Sequence, residues 1–104
     1  MKRAKVFRRK CDSMVTEIAL IEVKSDTEES FVQTFRGVFP VLQRQEGFLN
    51  ARLLKATQKA SHFALYVEWV DEQAHPRFEH SEEFASFINP LNAFMISAQA
   101  LDYV

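Results

Sequence analysis

The order of strand-like and helix-like segments is the feature that most constrains this fold. Val15 to Val23 reads VTEIALIEV, a β-branched and apolar run that predicts a strand. Phe48 to Thr57 and His62 to Trp69 are also strand-like, and only four polar or small residues separate them, which predicts an antiparallel hairpin. A last strand-like run, Phe94 to Val104, ends the chain. The sequence therefore predicts four strands, of which the middle two are neighbours.

The first helical region follows the first strand. It opens with cap-forming and acidic residues at positions 25–29, a composition that favours a helix N-terminus. Pro40 is expected to kink this helix or to split it after Phe39, because proline lacks the backbone N–H that a helix interior needs. Gly47 is expected to end it in the left-handed conformation. An apolar stripe at helical spacing marks the buried side: Phe31, Phe35, Val38, Phe39 and Leu42.

The second helical region covers Asp71 to Asn89 and is predicted to be interrupted. Pro76 fits the first turn of a helix, and Ser81 followed by two acids predicts a new N-cap. Asn89-Pro90 is expected to end the region, because a residue before proline disfavours the helical conformation. The complete order is β-α-β-β-α-β, which predicts an α+β, ferredoxin-like domain with an antiparallel sheet.

Both faces of the predicted sheet are apolar. In a lone domain of this kind helices cover one face and water the other, so its strands should alternate between apolar and polar residues. Positions 18–21 instead read Ile-Ala-Leu-Ile, and the third strand places Ala64 and Tyr66 on the face away from its other apolar residues. Covering that face with a second copy would contribute about 25 cal/mol per Å² of apolar surface buried. A homodimer is therefore expected.

The ends of the chain differ in charge. A length of 104 residues suits one domain, predicted to span residues 14–104. Residues 1–13 carry six basic side chains against one acid, whereas the remaining residues have a net charge of −6, so residues 1–13 are expected to form a flexible basic extension. Binding of nucleic acid through this extension is the less favoured alternative. Another alternative is that Met14 is the natural start.

Cysteine content and hydropathy indicate in which cellular compartment the protein is expected. Cys11 is the only cysteine, so neither an intrachain disulfide nor a cysteine-based metal cluster is expected. No apolar run follows the basic residues that could act as a signal-peptide core or a membrane span. We therefore expect a cytoplasmic protein with no membrane partner.

Three short motifs point to a known family. Glu46-Gly47-Phe48 precedes the second strand, Glu68-Trp69 ends the third, and Ser81-Glu82-Glu83-Phe84 lies in the second helical region. With these motifs, the sequence from Met14 to about Val104 resembles the antibiotic-biosynthesis monooxygenase superfamily, which includes quinol monooxygenases and haem-degrading monooxygenases. The fold also serves tasks other than oxygenation.

The resemblance implies a dimeric α+β barrel with a pocket between helices and sheet in each subunit. It also implies oxidation of phenols, anthrones or hydroquinones by molecular oxygen, without flavin or metal. Such a protein needs a proton acceptor, a donor for the phenolate oxygen and a dry aromatic cavity. The expected function is thus a cofactor-independent monooxygenase acting on a small aromatic or quinol. The alternative is a non-catalytic, ligand-binding or stress-associated barrel.

Histidines are the natural candidates for the proton acceptor, because this residue type titrates near neutral pH. His75 is the predicted catalytic residue, since it precedes Pro76 and its side chain can face the cavity entrance. His62 and His80 are expected at the surface. The three histidines lack metal-ligand spacing with carboxylates, so no metal site is expected.

Further residues are predicted to contact the substrate. Trp69, Phe39 and Phe78 are candidates for the pocket wall, although each also suits the core. Arg52 and Tyr66 fall on adjacent predicted strands and could steady a phenolate. The alternative for this pair is the dimer interior, with the arginine bound to the glutamate at position 17 or 68.

Haem is not expected as a cofactor. Haem-degrading relatives use an asparagine in the first strand and a tryptophan and a histidine on the second helix. The corresponding positions here are Ile18 or Ala19, Phe78 and Ile88. A haem iron would therefore lack an axial ligand.

Overall fold

The computed structural model describes residues 14–104, and the predictions for residues 1–13 lie outside the described residues. The observed order is β-α-β-β-α-α-β, which confirms the α+β, ferredoxin-like prediction and divides the second helical region into two helices. No helix in the described part of the chain is long and apolar enough to cross a membrane. The elements are β1 (Val15–Val23), α1 (Glu28–Gln43), β2 (Phe48–Lys55), β3 (His62–Trp69), α2 (Ala74–Glu79), α3 (Glu82–Asn92) and β4 (Met95–Tyr103).

The four strands form one antiparallel sheet in the order β2-β3-β1-β4. The predicted hairpin of β2 and β3 is confirmed. β1 lies in the interior of the sheet, where Glu17 pairs with Val67 on β3 and with Asp102 on β4. Since directly paired residues point to the same face, the side chains of Glu17 and Asp102 leave the sheet side by side.

The predicted end of the second helical region is wrong, and of the two alternatives for Pro40 the split is not observed. α1 continues through Pro40 to Gln43, so the helix is not split after Phe39. α3 continues through Pro90 to Asn92 and does not end at Asn89. Each proline costs its helix the one hydrogen bond that its missing N–H would donate to the carbonyl four residues earlier. An apolar residue within two positions after each proline, Leu42 or Leu91, is nearly fully buried, and this burial favours continuing the helix.

Other predicted boundaries are confirmed. Pro76 lies in the first turn of α2, and Ser81 is the N-cap of α3 in an extended conformation. Gly47 has the predicted left-handed conformation, with a φ of 88°, but it does not end the helix, because α1 ends at Gln43 with Arg44 as its C-cap. A Cβ atom at Gly47 would lie 2.7 Å from the Cβ of Ala74. The absence of a side chain therefore lets the residue before β2 pack against the start of α2.

The core lies between the helices and one face of the sheet. Its largest fully buried side chains include Trp69 and Phe31. The opposite face, which we call the open face, carries exposed apolar residues. Leu20 on β1 and Leu101 on β4 are 60% and 51% exposed there, and Leu54 on β2 is 41% exposed. Apolar residues on both faces, as the strand sequences predict, are thus observed.

Candidate active site

The site is built around His75, the second residue of α2. Asp71 fixes the approach to this helix, because its Oδ1 accepts the backbone N–H groups of Gln73 and Ala74 at 3.0 and 3.1 Å. His75 itself is only 8% exposed. Its Nδ1 lies 2.8 Å from Oδ1 and 3.0 Å from Oδ2 of Asp102. An ionised carboxylate can only accept, so Nδ1 is the donor in this pair.

The second nitrogen of His75 also faces carboxylates. Nε2 lies 3.4 Å from Oε1 of Glu17 and 3.3 Å from Oε2 of Glu79, one turn further along α2. We call His75, Glu17, Glu79 and Asp102 the acidic cluster. Its members come from β1, α2 and β4, and the fold alone brings them together.

Trp69, at the end of β3, holds two members of the cluster. Its indole N–H donates a hydrogen bond of 3.0 Å to Oε1 of Glu17. Its ring stacks on the imidazole of His75, with ring centroids 5.8 Å apart and planes 6° from parallel. The imidazole is therefore restrained by stacking as well as by the carboxylate of Asp102, a combination that fixes its orientation.

Burial governs the ionisation of Glu17. Desolvation raises the pKa of this carboxyl above its ordinary value of 4.5. The charge of His75 and the hydrogen bond from Trp69 oppose this shift, whereas the charges of Asp102 and Glu79 add to it. Glu17 therefore holds its proton to higher pH than a solvated glutamate does.

A cavity of about 110 Å³ extends from the acidic cluster into the core. Glu17, His75 and Glu79 line its polar end. Neither lysine nor arginine is among the described residues that line it. Five phenylalanines contribute to the remaining, apolar wall: Phe31, Phe35, Phe78, Phe84 and Phe87.

Three of the predicted site residues come together here. Phe78 lines the cavity, and its ring centroid lies 6.1 Å from that of Trp69, which in turn stacks on His75. Phe39 instead packs between Phe35 and Phe48, with ring centroids 5.5 and 6.3 Å away, and does not line the cavity.

Arg52 and Tyr66 lie elsewhere. The two residues pair across β2 and β3, as their sequence positions predict, but on the open face. Side chains alternate along a strand, and Tyr66 is an odd number of residues from the cavity-lining Leu65 and Val67. The sheet therefore separates both residues from His75. The Tyr66 hydroxyl donates to Glu68 at 3.2 Å.

Sequence reasoning did not place the three carboxylates beside His75. Glu79 could have been found, because it lies four residues after His75 on one helix face. Glu17 gave a weaker signal, as an acid within an apolar strand, and Asp102 gave none. Ligand atoms of Glu17, His75 and Asp102 all lie within 4.8 Å of one another, so this group could hold a divalent cation. Sequence spacing does not indicate this group, because its three members lie on different elements.

Comparison with known proteins agrees with this architecture. The uncharacterized protein YczJ of Bacillus subtilis is 28% identical over 82 residues, which cover 78% of this chain and 86% of YczJ. SnoaB, described as a cofactor-independent oxygenase from Streptomyces nogalater, superimposes with a TM-score of 0.80 at 21% identity, covering 88% of this chain and 92% of SnoaB. PA3566 from Pseudomonas aeruginosa gives a TM-score of 0.73 at 20% identity over 88% of this chain and 92% of that one.

These structural likenesses establish the fold, since the sequence identities are low. The sequence itself establishes the family. The pattern described as antibiotic biosynthesis monooxygenase matches residues 14–90, which include β1, both sides of the α1–β2 junction, Trp69 and His75. This protein belongs to the antibiotic biosynthesis monooxygenase family.

Proposed function

We propose that this protein is a monooxygenase that oxidises a small electron-rich aromatic or quinol with molecular oxygen, without flavin or metal. The observation that carries the proposal is the hydrogen-bonded pair of His75 and Asp102 at the polar end of an aromatic cavity. Family membership and the fold shared with SnoaB, itself described as a cofactor-independent oxygenase, support the same reaction class.

His75 is the proposed proton acceptor. With Nδ1–H donated to Asp102, the lone pair of a neutral imidazole lies on Nε2. Nε2 takes the proton of a substrate hydroxyl and leaves a phenolate. Asp102 stabilises the imidazolium that forms, as the buried acid does in hydrolase triads. The two residues thereby act as a base and its positioning residue.

Oxygen then reacts with the electron-rich phenolate. One electron passes to molecular oxygen, and the resulting substrate radical and superoxide combine to form a peroxide on the ring. Cleavage of the O–O bond leaves one oxygen atom on the substrate as a carbonyl and releases the other as water. Overall, a ring CH₂ or its enol tautomer plus O₂ gives C=O plus H₂O, which requires no external reductant.

Glu17 is the proposed donor for the substrate oxygen. Burial favours its protonated form, and a neutral carboxyl can donate a hydrogen bond to an oxygen on which negative charge develops. One of its oxygens, Oε1, accepts the Trp69 indole N–H, and the other has no hydrogen-bond partner among residues 14–104. This role replaces the one predicted for Arg52 and Tyr66, which lie on the open face.

The open face is proposed to form a homodimer, giving the α+β barrel that the resemblance implies. Exposed apolar residues on three neighbouring strands, Leu20, Leu54 and Leu101, make this face costly to leave in water. A shallow depression of about 310 Å³, lined in part by Leu20 and Leu54, lies on the same face. A second copy would cover both features.

Oxygen consumption tests the proposed function. Purified protein, stripped of metal with a chelator, is incubated with hydroquinones and other phenols, and heat-inactivated protein gives the autoxidation background. Saturable uptake above that background supports the proposal. Uptake that requires a restored divalent ion would assign the acidic cluster to metal binding. Retention of an apolar ligand with no uptake would favour the non-catalytic barrel.

A further inference from the structure

When Asp102 and Glu79 are ionised, the net charge of the acidic cluster is negative whatever the protonation states of His75 and Glu17. With both His75 and Glu17 protonated, the four side chains sum to −1, and with both deprotonated they sum to −3. No lysine or arginine among the described lining residues offsets this charge. A bound anion would therefore meet like charge beside a low-dielectric wall, where repulsion is weakly screened.

One member of the cluster is also available to a ligand. Glu17 is 8% exposed and lines the cavity. Its Oε1 bonds Trp69, whereas Oε2 lacks a hydrogen-bond partner within residues 14–104. An ionised carboxylate oxygen at the cavity wall can accept an N–H group of a ligand.

The cavity volume limits ligand size. An engineered apolar cavity of about 150 Å³ accommodates benzene. The cavity here, at about 110 Å³, has room for one six-membered ring when part of the ligand lies at its polar end. Three fused rings would have to displace the phenylalanines of a close-packed wall, which is costly.

We propose that the cavity selects single-ring ligands and ranks them by charge, with cationic amines preferred over neutral compounds and both over carboxylates. This inference rests on the proposed function in that it names the substrate class of the same site. The ring occupies the apolar part of the cavity, stacked among its phenylalanines. The ammonium group lies at the polar end, beside Glu79.

Binding of unreactive probes tests the inference without any turnover. Benzylamine, benzyl alcohol and benzoate share one ring and differ in charge, and isothermal titration calorimetry measures their affinities. We expect benzylamine to bind at least about tenfold more tightly than benzoate, because a like charge at a poorly hydrated site is strongly disfavoured. 9-Anthracenylmethylamine carries the same ammonium on three fused rings and is expected not to bind. Trp69 is the single tryptophan, so its fluorescence reports whether benzylamine occupies this site.

A matched pair of variants locates the charge effect. Glu79→Gln is expected to lower the preference for benzylamine over benzyl alcohol by about threefold, the range for a partly exposed ion pair. Glu72→Gln removes the same charge from an exposed position that does not line the cavity, and should leave the preference unchanged.

Each result that contradicts an expectation would refute a different part of the two proposals. Equal affinities for benzylamine and benzoate, or no binding of any probe, would overturn the charge ranking. Binding of the anthracene amine as tight as that of benzylamine would overturn the size limit. Selective binding without oxygen uptake on any phenol would leave the ranking intact and count against the monooxygenase. Uptake on anionic or tricyclic substrates would support the monooxygenase and refute the selectivity.

Discussion

The imidazole Nδ1 of His75 lies 2.8 Å from the carboxylate of Asp102, although 27 residues separate them in sequence. His75 belongs to a two-turn helix after β3, and Asp102 to the edge strand β4. Asp102 pairs with Glu17, which also approaches the imidazole. The sheet thus fixes two carboxylates at a set separation, and α2 delivers the histidine to them.

Replacing His75 with alanine should lower oxygen uptake by at least about 100-fold, the lower end of general-base contributions. His80→Ala is the matched control, because its exposed ring bonds the backbone carbonyl of Pro76 and does not line the cavity. Initial rates of uptake and thermal unfolding are measured for both variants. Undiminished turnover in a folded His75→Ala protein would remove this residue from the mechanism.

Replacing Asp102 with asparagine should lower kcat by about 100-fold or more, with KM little changed. The amide can present an N–H to Nδ1 and so stabilise the tautomer whose Nε2 carries the proton, which cannot accept another. Steady-state kinetics separate the two constants. A rise in KM at constant kcat would instead place Asp102 in substrate binding.

The stability of the protein should depend on Glu17 in a pH-dependent way. Burial raises the pKa of this carboxyl above 4.5, so the folded state holds a proton that the unfolded state releases, and stability falls as pH rises from about 4.5 through the raised pKa. The Glu17→Gln variant has no carboxyl at this position and does not lose stability in this way. Its melting temperature relative to the wild type is therefore expected to increase between pH 4 and pH 8.

Glu72→Gln is the control for that experiment. This residue is exposed and does not line the cavity. Its melting curve should run nearly parallel to that of the wild type over the same pH range. If the melting temperature of Glu17→Gln also runs parallel to that of the wild type, Glu17 ionises in the folded protein with no loss of stability.

Gly47→Ala should destabilise the protein by about 2 kcal/mol or more, because a left-handed conformation costs an alanine roughly 1–2 kcal/mol. The new Cβ would also lie 2.7 Å from the Cβ of Ala74, next to His75. Gly37→Ala is the contrasting variant, since nothing lies within 4 Å of its Cβ position in α1. It should stabilise the protein by about 0.5–1 kcal/mol. Urea unfolding measures both.

Replacing Leu20 with aspartate should convert the proposed dimer into monomers, because a charge would be buried at the centre of the interface. Sedimentation equilibrium measures the mass, with Gly37→Ala on the helical surface as the control. Leu101→Asp, on the adjacent strand, should behave in the same way. A wild-type protein that sediments as a monomer would refute the dimer itself.

The sequence determined the fold to a large extent. Strand-like runs such as VTEIALIEV specify local structure, and the short link between β2 and β3 specifies that these strands are neighbours. Hydrophobic periodicity is a short-range signal that packing does not change. The predicted split at Pro40 and the predicted helix end at Pro90 were wrong, because packing outweighed a local preference. The local preference against proline is about 3 kcal/mol at most sites, and burial of Leu42 and Leu91 competes with it.

The site was decided only by the tertiary structure. His75 could be chosen from its residue type and Trp69 from its motif, but Glu17 and Asp102 become its neighbours through the register of β1 with β4. The register also places Arg52 and Tyr66 on the far face, since a single residue along a strand changes the side to which a side chain points. Sequence patterns record which residues prefer burial, whereas distances between side chains on different strands exist only after the strands have paired.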